Sequence, residues 1–177
     1  MKKNLQFHRV VSLRNIILAL TLLVTCGLYS TDVFAANPDY TGKWKLNEDK
    51  SEMGERRWGA SMTLEVKQDK ENLTVVRVRI GRDGQERRME SVYSLDGKET
   101  TNGEGNRSSV STAKWSEEGK SLTIHTKRTF TRDGQTMEFE SDETWTLGEG
   151  GKVLTIQSKM SSSRGEFSTK LVYDLNE

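Results

Sequence analysis

The sequence predicts an all-β fold, an antiparallel up-and-down meander β-barrel of 8–10 strands. Apolar and polar residues alternate with a period of two through most of the chain, and no stretch longer than two turns shows helical apolar spacing. A single proline, Pro38, is present. The tetrapeptide Arg-Asp-Gly-Gln occurs twice, at 82–85 and 132–135, and each copy lies between alternating runs. Alternation interrupted by turn residues is typical of successive hairpins.

The alternating runs divide the chain into nine strands, and a short tenth strand is predicted near Lys98–Thr101 after the Asp96-Gly97 turn. The nine are predicted at Gly42–Asn47, Ser61–Lys67, Asn72–Ile80, Gln85–Leu95, Arg107–Trp115, Ser121–Thr131, Thr136–Leu147, Val153–Ser161 and Glu166–Leu175. Each hairpin has one apolar face that it cannot bury alone. Such hairpins pack as a sandwich or curl into a barrel, and barrel closure also removes exposed strand edges.

The second copy of the tetrapeptide predicts a strand register. Asp-Gly between two strands is a strong signal for a two-residue turn, which needs positive φ at its centre. With Asp133-Gly134 at the tip, Phe130 faces Met137 on a mostly apolar face. His125 faces Asp142 on the opposite, charged face. A one-residue slip would exchange the two faces.

The first copy predicts a less regular hairpin. With Asp83-Gly84 at the tip, Val78 faces Met89, and Arg77 lies on the polar face. Leu73 then falls on the polar face as well, so a β-bulge near Val75-Val76 is expected to return it to the interior.

A third hairpin is predicted around Arg164-Gly165. Leu154-Thr155-Ile156 repeats the pattern of Leu73-Thr74-Val75 and Leu122-Thr123-Ile124. With that tip, Ile156 faces Tyr173.

Residues 1–35 have the pattern of a cleaved secretory signal peptide, and residues 36–177 are predicted to form the barrel domain. A basic start precedes the apolar run Ile16–Leu28, and Val33-Phe34-Ala35 carries small residues at both positions that a signal peptidase reads. The predicted location is therefore periplasmic or secreted. Two alternatives remain open, a membrane anchor and a lipoprotein modified at Cys26.

Cleavage after Ala35 changes the available chemistry. It leaves 23 basic and 25 acidic residues, a formal charge of −2, so no nucleic-acid partner is expected. His125 is then the single histidine, and no cysteine remains. Catalysis by cysteine and a His/Cys zinc site are excluded. No catalytic residue, metal ligand or cofactor is predicted, and an enzymatic role is not favoured.

A family resemblance begins at the first strand. Tyr40-Thr41-Gly42-Lys43-Trp44-Lys45-Leu46 contains Gly-x-Trp and resembles the opening of lipocalins and fatty-acid-binding proteins, together the calycins. Thr169–Asp174 looks like the last strand of fatty-acid-binding proteins. The overall pattern is similar to small secreted bacterial lipocalin-like proteins. The resemblance implies an up-and-down barrel closed at one end by the tryptophan and holding a small apolar ligand.

The chain departs from those families at two places. Leu171 stands where fatty-acid-binding proteins have an inward arginine, although Tyr173 keeps the neighbouring tyrosine. Asn47 to Ser61 is too short for their two-helix lid, and no C-terminal helix of the lipocalin kind follows the last strand.

The predicted inner face mixes apolar with polar side chains. A solid barrel has no use for many inward polar groups, whereas a ligand cavity has. The predicted function is binding of a small apolar or amphipathic molecule inside the barrel. The candidate ligand-binding residues are Trp44, Tyr93, Thr126, Arg128, Ser141, Glu143 and Tyr173.

Structural roles for the same residues stay open. Arg128 and Glu143 could pair with each other, and Trp44 could be a core plug. The alternative function is a protein-interaction module, an inhibitor or envelope accessory factor, that acts through the rim loops Asp49–Ala60 and Thr101–Ser108.

Overall fold

The computed structural model describes residues 36–54, 62–81, 83–103, 105–163 and 165–176, and these belong to one unit, Phe34–Glu177. They form ten antiparallel strands and a short 3-10 helix, Glu149–Gly151. The strands are β1 Gly42–Leu46, β2 Thr63–Gln68, β3 Asn72–Ile80, β4 Glu86–Ser94, β5 Thr100–Asn102, β6 Arg107–Trp115, β7 Ser121–Arg132, β8 Gln135–Gly148, β9 Val153–Ser162 and β10 Gly165–Leu175. All ten predicted strands are confirmed to within two residues, except that the predicted start at Ser61 lies outside the described residues.

The strands wind into a nearly closed barrel. Their order in the sheet is β4-β3-β2-β1-β10-β9-β8-β7-β6-β5, so the first strand pairs with the last and the remaining pairs are consecutive in the chain. The predicted meander barrel is therefore confirmed. The seam lies between β4 and the β5–β6 hairpin, where no run of backbone hydrogen bonds joins the described strands.

An asparagine side chain bridges this seam. The Val92 N–H on β4 donates to Asn102 Oδ1 at 2.8 Å, and Asn102 Nδ2 donates to the Val92 carbonyl at 2.9 Å. A carboxamide carries the same donor and acceptor as a peptide group, so Asn102 replaces one backbone pair of a sheet ladder.

Aromatic side chains fill one end of the barrel. Trp44 is 1% exposed, and its Nε1 donates to the Tyr40 carbonyl at 3.0 Å. The Tyr40 ring stacks on Trp115 at 5.9 Å and meets Trp145 edge-on at 5.6 Å. The Tyr40 hydroxyl donates to the Trp145 carbonyl at 2.8 Å. Aromatic burial of this kind makes the closed end solid.

The two Arg-Asp-Gly-Gln copies fold into different turns. In the second copy Asp133 and Gly134 have φ of 52° and 76°, and Arg132 pairs with Gln135, as the two-residue turn requires. The predicted register of β7 and β8 is confirmed along its whole length, including His125 opposite Asp142.

The predicted register of the first copy is wrong by one residue. The Gly81 N–H donates to the Gln85 carbonyl, and the Gly84 N–H donates to the Gly81 carbonyl. Gly84 has a φ of 75°. Three residues therefore form the loop, of which Arg82 lies outside the described residues. Arg77 pairs with Met89 instead of Val78. Burial of Leu73 explains the choice, because the longer loop turns it inward without the predicted bulge.

The predicted register of the third hairpin is wrong by two residues. Gly165 pairs with Ser162, and Ile156 pairs with Leu171 instead of Tyr173. A shift of two residues preserves the faces of both strands, so Ile156 and Tyr173 still point inward. Arg164, half of the predicted tip, lies outside the described residues.

Candidate functional site

An ion pair crosses the barrel interior above the aromatic core. Arg77 Nη2 on β3 lies 2.8 Å from Glu143 Oε2 on β8. These two strands are not neighbours, because four other strands lie between them in the sheet. Arg77 Nη1 donates to the Tyr93 hydroxyl at 3.0 Å. Trp145 Nε1 donates to the same Glu143 oxygen at 3.1 Å. The two side chains are only 16% and 24% exposed, so this polar layer is largely shielded from water.

Burial and neighbouring charges shift the pKa values of the groups in this layer in opposite directions. Burial lowers the pKa of the Arg77 guanidinium, but the nearby Glu143 carboxylate outweighs it, so the pKa of Arg77 is raised above its ordinary value. Tyr173 lies in the same region, and burial raises the pKa of its hydroxyl despite the opposing charge of Arg77. At neutral pH Arg77 is therefore charged and Tyr173 is neutral.

A cavity of about 340 Å³ lies between this polar layer and the hairpin tips, lined by the strand residues that follow the polar layer on the inner face. Its apolar wall consists of Met89, Phe130, Phe139 and Met160. Polar groups come from Ser91, Ser109 and the seam residue Asn102. Both β4 and β6 contribute lining residues, so the cavity borders the seam of the barrel.

Three arginines line this cavity, one each from β3, β6 and β7: Arg79, Arg107 and Arg128. Arg79 is half-buried, while the other two are exposed. The Arg107 guanidinium lies 5.0 Å from the centre of the Phe130 ring. Burial first, and then the charges of Arg128 and Arg107, lower the pKa of Arg79. Within the described ranges no acidic side chain forms a salt bridge with any of the three.

Five of the seven candidate residues of the sequence analysis lie in the cavity, the polar layer or the closed end, and Thr126 and Ser141 lie elsewhere on the sheet. Arg128 lines the cavity. Tyr93, Glu143 and Tyr173 lie in the polar layer below it, and Trp44 lies in the closed end. Thr126 is 7% exposed and shares a hydrogen bond with Ser111 at 2.9 Å. Ser141, on β8, pairs with Thr126 and Met160 and does not line the cavity.

Sequence reasoning missed Arg77, Arg79 and Arg107. The Arg128–Glu143 pair, which the sequence left open, is not found among the described residues, where Glu143 pairs with Arg77. A usable signal was present. Leu73, Val75, Arg77 and Arg79 are alternate residues of one strand and therefore share one face. A strand that buries both apolar residues must turn both arginines inward.

Other chemistry is sparse in the described part of the chain. His125 Nδ1 lies 2.8 Å from Asp142 Oδ1 in an exposed cross-strand pair, the surface arrangement that the hairpin register predicted. No group of three or more His, Cys, Asp or Glu side chains there could hold a metal ion. Helices long and apolar enough to cross a bilayer are not found among these residues either.

Ten antiparallel strands in a nearly closed barrel define an all-β fold of the calycin type. Among solved structures, the chain is similar to zebrafish ileal bile acid-binding protein in complex with cholic acid. The TM-score is 0.52 at 14% identity, over 77% of this chain and 98% of that one. At this identity the similarity shows the fold. No protein-family model and no curated protein matches the sequence. The fold implied by Gly42-x-Trp44 is thus confirmed.

Proposed function

We propose that this protein is exported and binds a small, partly apolar ligand in the cavity between the polar layer and the hairpin tips. The cavity itself carries the proposal. Its volume of about 340 Å³ lies at the small end of the range for ligand sites, and its lining combines apolar side chains with a few converging polar groups. A barrel built only for stability would fill this space as it fills the closed end.

The interior is graded along the barrel axis. Among the described residues, the closed end is packed with apolar side chains, Arg77 and Glu143 cross the middle, and the cavity lies toward the hairpin tips. A ligand would rest on the polar layer and contact Phe130, Phe139 and Met160 with its apolar part. In this arrangement Arg128 is a ligand contact, while Tyr93, Glu143 and Tyr173 form the floor.

The structural neighbour supports the proposal. The zebrafish protein is a bile acid-binding protein solved with cholic acid, an amphipathic small molecule, and its barrel matches this one along nearly its whole length. The same fold can therefore enclose a ligand of this general kind.

Export rests on the N-terminal sequence. Residues 1–35 lie outside the described part of the chain, so the proposal depends on the basic start, the apolar run and the small residues at 33 and 35. N-terminal sequencing of the protein from a fractionated bacterial host tests it. A mature N-terminus at Ala36 in the periplasm or medium is expected, and an intact N-terminus in the cytosol would contradict export.

Ligand binding is tested with N-phenyl-1-naphthylamine, a neutral probe that fluoresces in apolar sites. Ser109→Trp places an indole in the cavity and should abolish the fluorescence gain, because Ser109 lines it. Val110→Trp is the matched control, since the next residue of β6 points to the other face. Equal loss in both variants, or no probe binding by the unmodified protein, would refute an accessible cavity.

A further inference from the structure

We propose that the ligand is a phosphorylated amphiphile whose phosphate group is held by Arg79, Arg107 and Arg128. This inference rests on the proposed function, because it names the chemistry of the ligand in that cavity. It differs from recognition by the last strand, where Leu171 replaces the arginine expected from the family resemblance.

The charge balance of the cavity is the first argument. Its described lining includes three guanidinium groups and one carboxylate, that of Glu90, which leaves a formal charge of +2. Elsewhere in the barrel interior the protein neutralises its own cation, since Arg77 lies 2.8 Å from Glu143. Like charges that converge on one site repel one another, and a bound anion removes that cost.

The geometry is the second argument. The three arginines come from β3, β6 and β7, so they approach the cavity from both sides of the seam. A phosphate monoester carries close to two negative charges and three strongly accepting oxygens, whereas a carboxylate carries one charge and two oxygens. Three planar guanidinium groups match the phosphate better in both charge and number of acceptors.

The apolar wall gives the orientation. Phe130 and Phe139 lie on β7 and β8 beside the arginines, and Met160 extends this surface onto β9. A ligand with its phosphate at the seam would therefore lay a short apolar tail against these side chains. A cavity of about 340 Å³ limits this tail to a short chain, for which an octyl group is a suitable probe.

The experiment compares four probes on the full chain by isothermal titration calorimetry. They are octyl phosphate, octanoate, octyltrimethylammonium and inorganic phosphate. Octyl phosphate is expected to bind at least about tenfold more tightly than each of the others, because it alone has both the dianion and the tail. Its affinity should also fall as salt is raised.

Variants assign the effect to the three arginines. Arg79→Gln, Arg107→Gln and Arg128→Gln should each weaken octyl phosphate binding about tenfold, with thermal melting used to verify folding. Arg88→Gln is the matched control, because Arg88 lies on the outer face of β4 in an ion pair with Glu65 and does not line the cavity. Its affinity should be unchanged. Losses in the control equal to those in the three variants would overturn the assignment.

The outcomes separate this inference from the function on which it rests. Octanoate or octyltrimethylammonium binding as tightly as octyl phosphate would overturn the phosphate assignment and leave an amphiphile-binding protein. Inorganic phosphate binding as tightly as octyl phosphate would identify a free anion as the ligand and overturn the amphiphile. Failure of all three octyl probes, together with N-phenyl-1-naphthylamine, would remove both proposals.

Discussion

Arg77 and Glu143 form an ion pair across the inside of the barrel, at 2.8 Å between Nη2 and Oε2. They lie 66 residues apart in the chain, on β3 and β8, which do not pair in the sheet. The pair separates a solid aromatic end from an open cavity. It therefore ties together two opposite walls of the barrel and forms the floor of the candidate ligand site.

Removing one partner of this pair should destabilise the barrel. Among the described residues, Arg77→Met leaves the largely buried Glu143 carboxylate with the Trp145 N–H as its donor, at a cost of roughly 2–4 kcal/mol in the free energy of unfolding. The double variant Arg77→Met/Glu143→Leu should cost less than the two single changes added together. Urea denaturation measures all three.

The control for this experiment is the exposed pair of Arg88 and Glu65. Arg88→Met should change stability far less than Arg77→Met does, because solvent screens the 2.7 Å contact. Equal losses in Arg77→Met and Arg88→Met would mean that the interior pair is not shielded from water.

The register of the first hairpin can be tested with two neighbouring valines. Val75 is fully buried, so Val75→Ala should lower the free energy of unfolding by roughly 2 kcal/mol. Val76 points to the other face and is only partly covered, so Val76→Ala should cost well under half as much. The reverse order would support the two-residue turn at Asp83-Gly84 in place of the observed three-residue loop.

The turn of the second hairpin depends on positive φ at Gly134. Gly134→Ala should destabilise the protein by about 1 kcal/mol, because an added Cβ meets no atom within 4 Å and the cost comes from the backbone conformation alone. Gly148→Ala is the matched control, since Gly148 has a φ of −128° and equally open surroundings. Thermal melting should show a loss for the first variant and none for the second.

Asn102 should limit local opening of the seam between β4 and β5. Asn102→Ala removes both hydrogen bonds to Val92, so the Val92 amide should exchange with deuterium roughly tenfold faster. Amides of the β9–β10 hairpin, away from the seam, serve as internal controls. Unchanged exchange at Val92 would show that the carboxamide does not bridge the two strands in solution.

Alkaline unfolding should reveal the buried tyrosines. Burial raises the pKa of Tyr40 from 10.0 to about 12. Between these two values the unfolded chain loses the tyrosine proton while the folded barrel retains it, so stability is present in full below pH 10 and falls as pH rises toward 12. Tyr173, whose pKa is also raised, adds to the fall at higher pH.

Tyr40→Phe tests the contribution of Tyr40 to this effect. The variant should lose about 1 kcal/mol at neutral pH, because the Trp145 carbonyl loses its donor. Its stability should then decline less steeply than that of the unmodified protein between pH 10 and 12. Urea denaturation at each pH measures the stability of both proteins. If the two lose stability in parallel between pH 10 and 12, the assignment to Tyr40 is wrong.

The sequence by itself determined the strands and the β7–β8 register, because both depend on local chemistry. Period-two alternation sets which side chains share a face, and Asp133-Gly134 accepts the positive φ values of a two-residue turn without help from the rest of the molecule. The closure of one end by Trp44 was implied by the resemblance at Gly42-Lys43-Trp44, and the structure places Trp44 in that end.

Tertiary structure decided the register of the first hairpin, where the same tetrapeptide sequence lies in a three-residue loop instead of a two-residue turn. Burial of Leu73 and Val75 against the other walls of the barrel outweighed the local preference of Asp83-Gly84, and it carried Arg77 inward to Glu143. Only closure of the barrel brings Arg79, Arg107 and Arg128 around one cavity. Contacts between distant strands depend on the whole closed sheet, and short-range patterns in the chain carry no record of them.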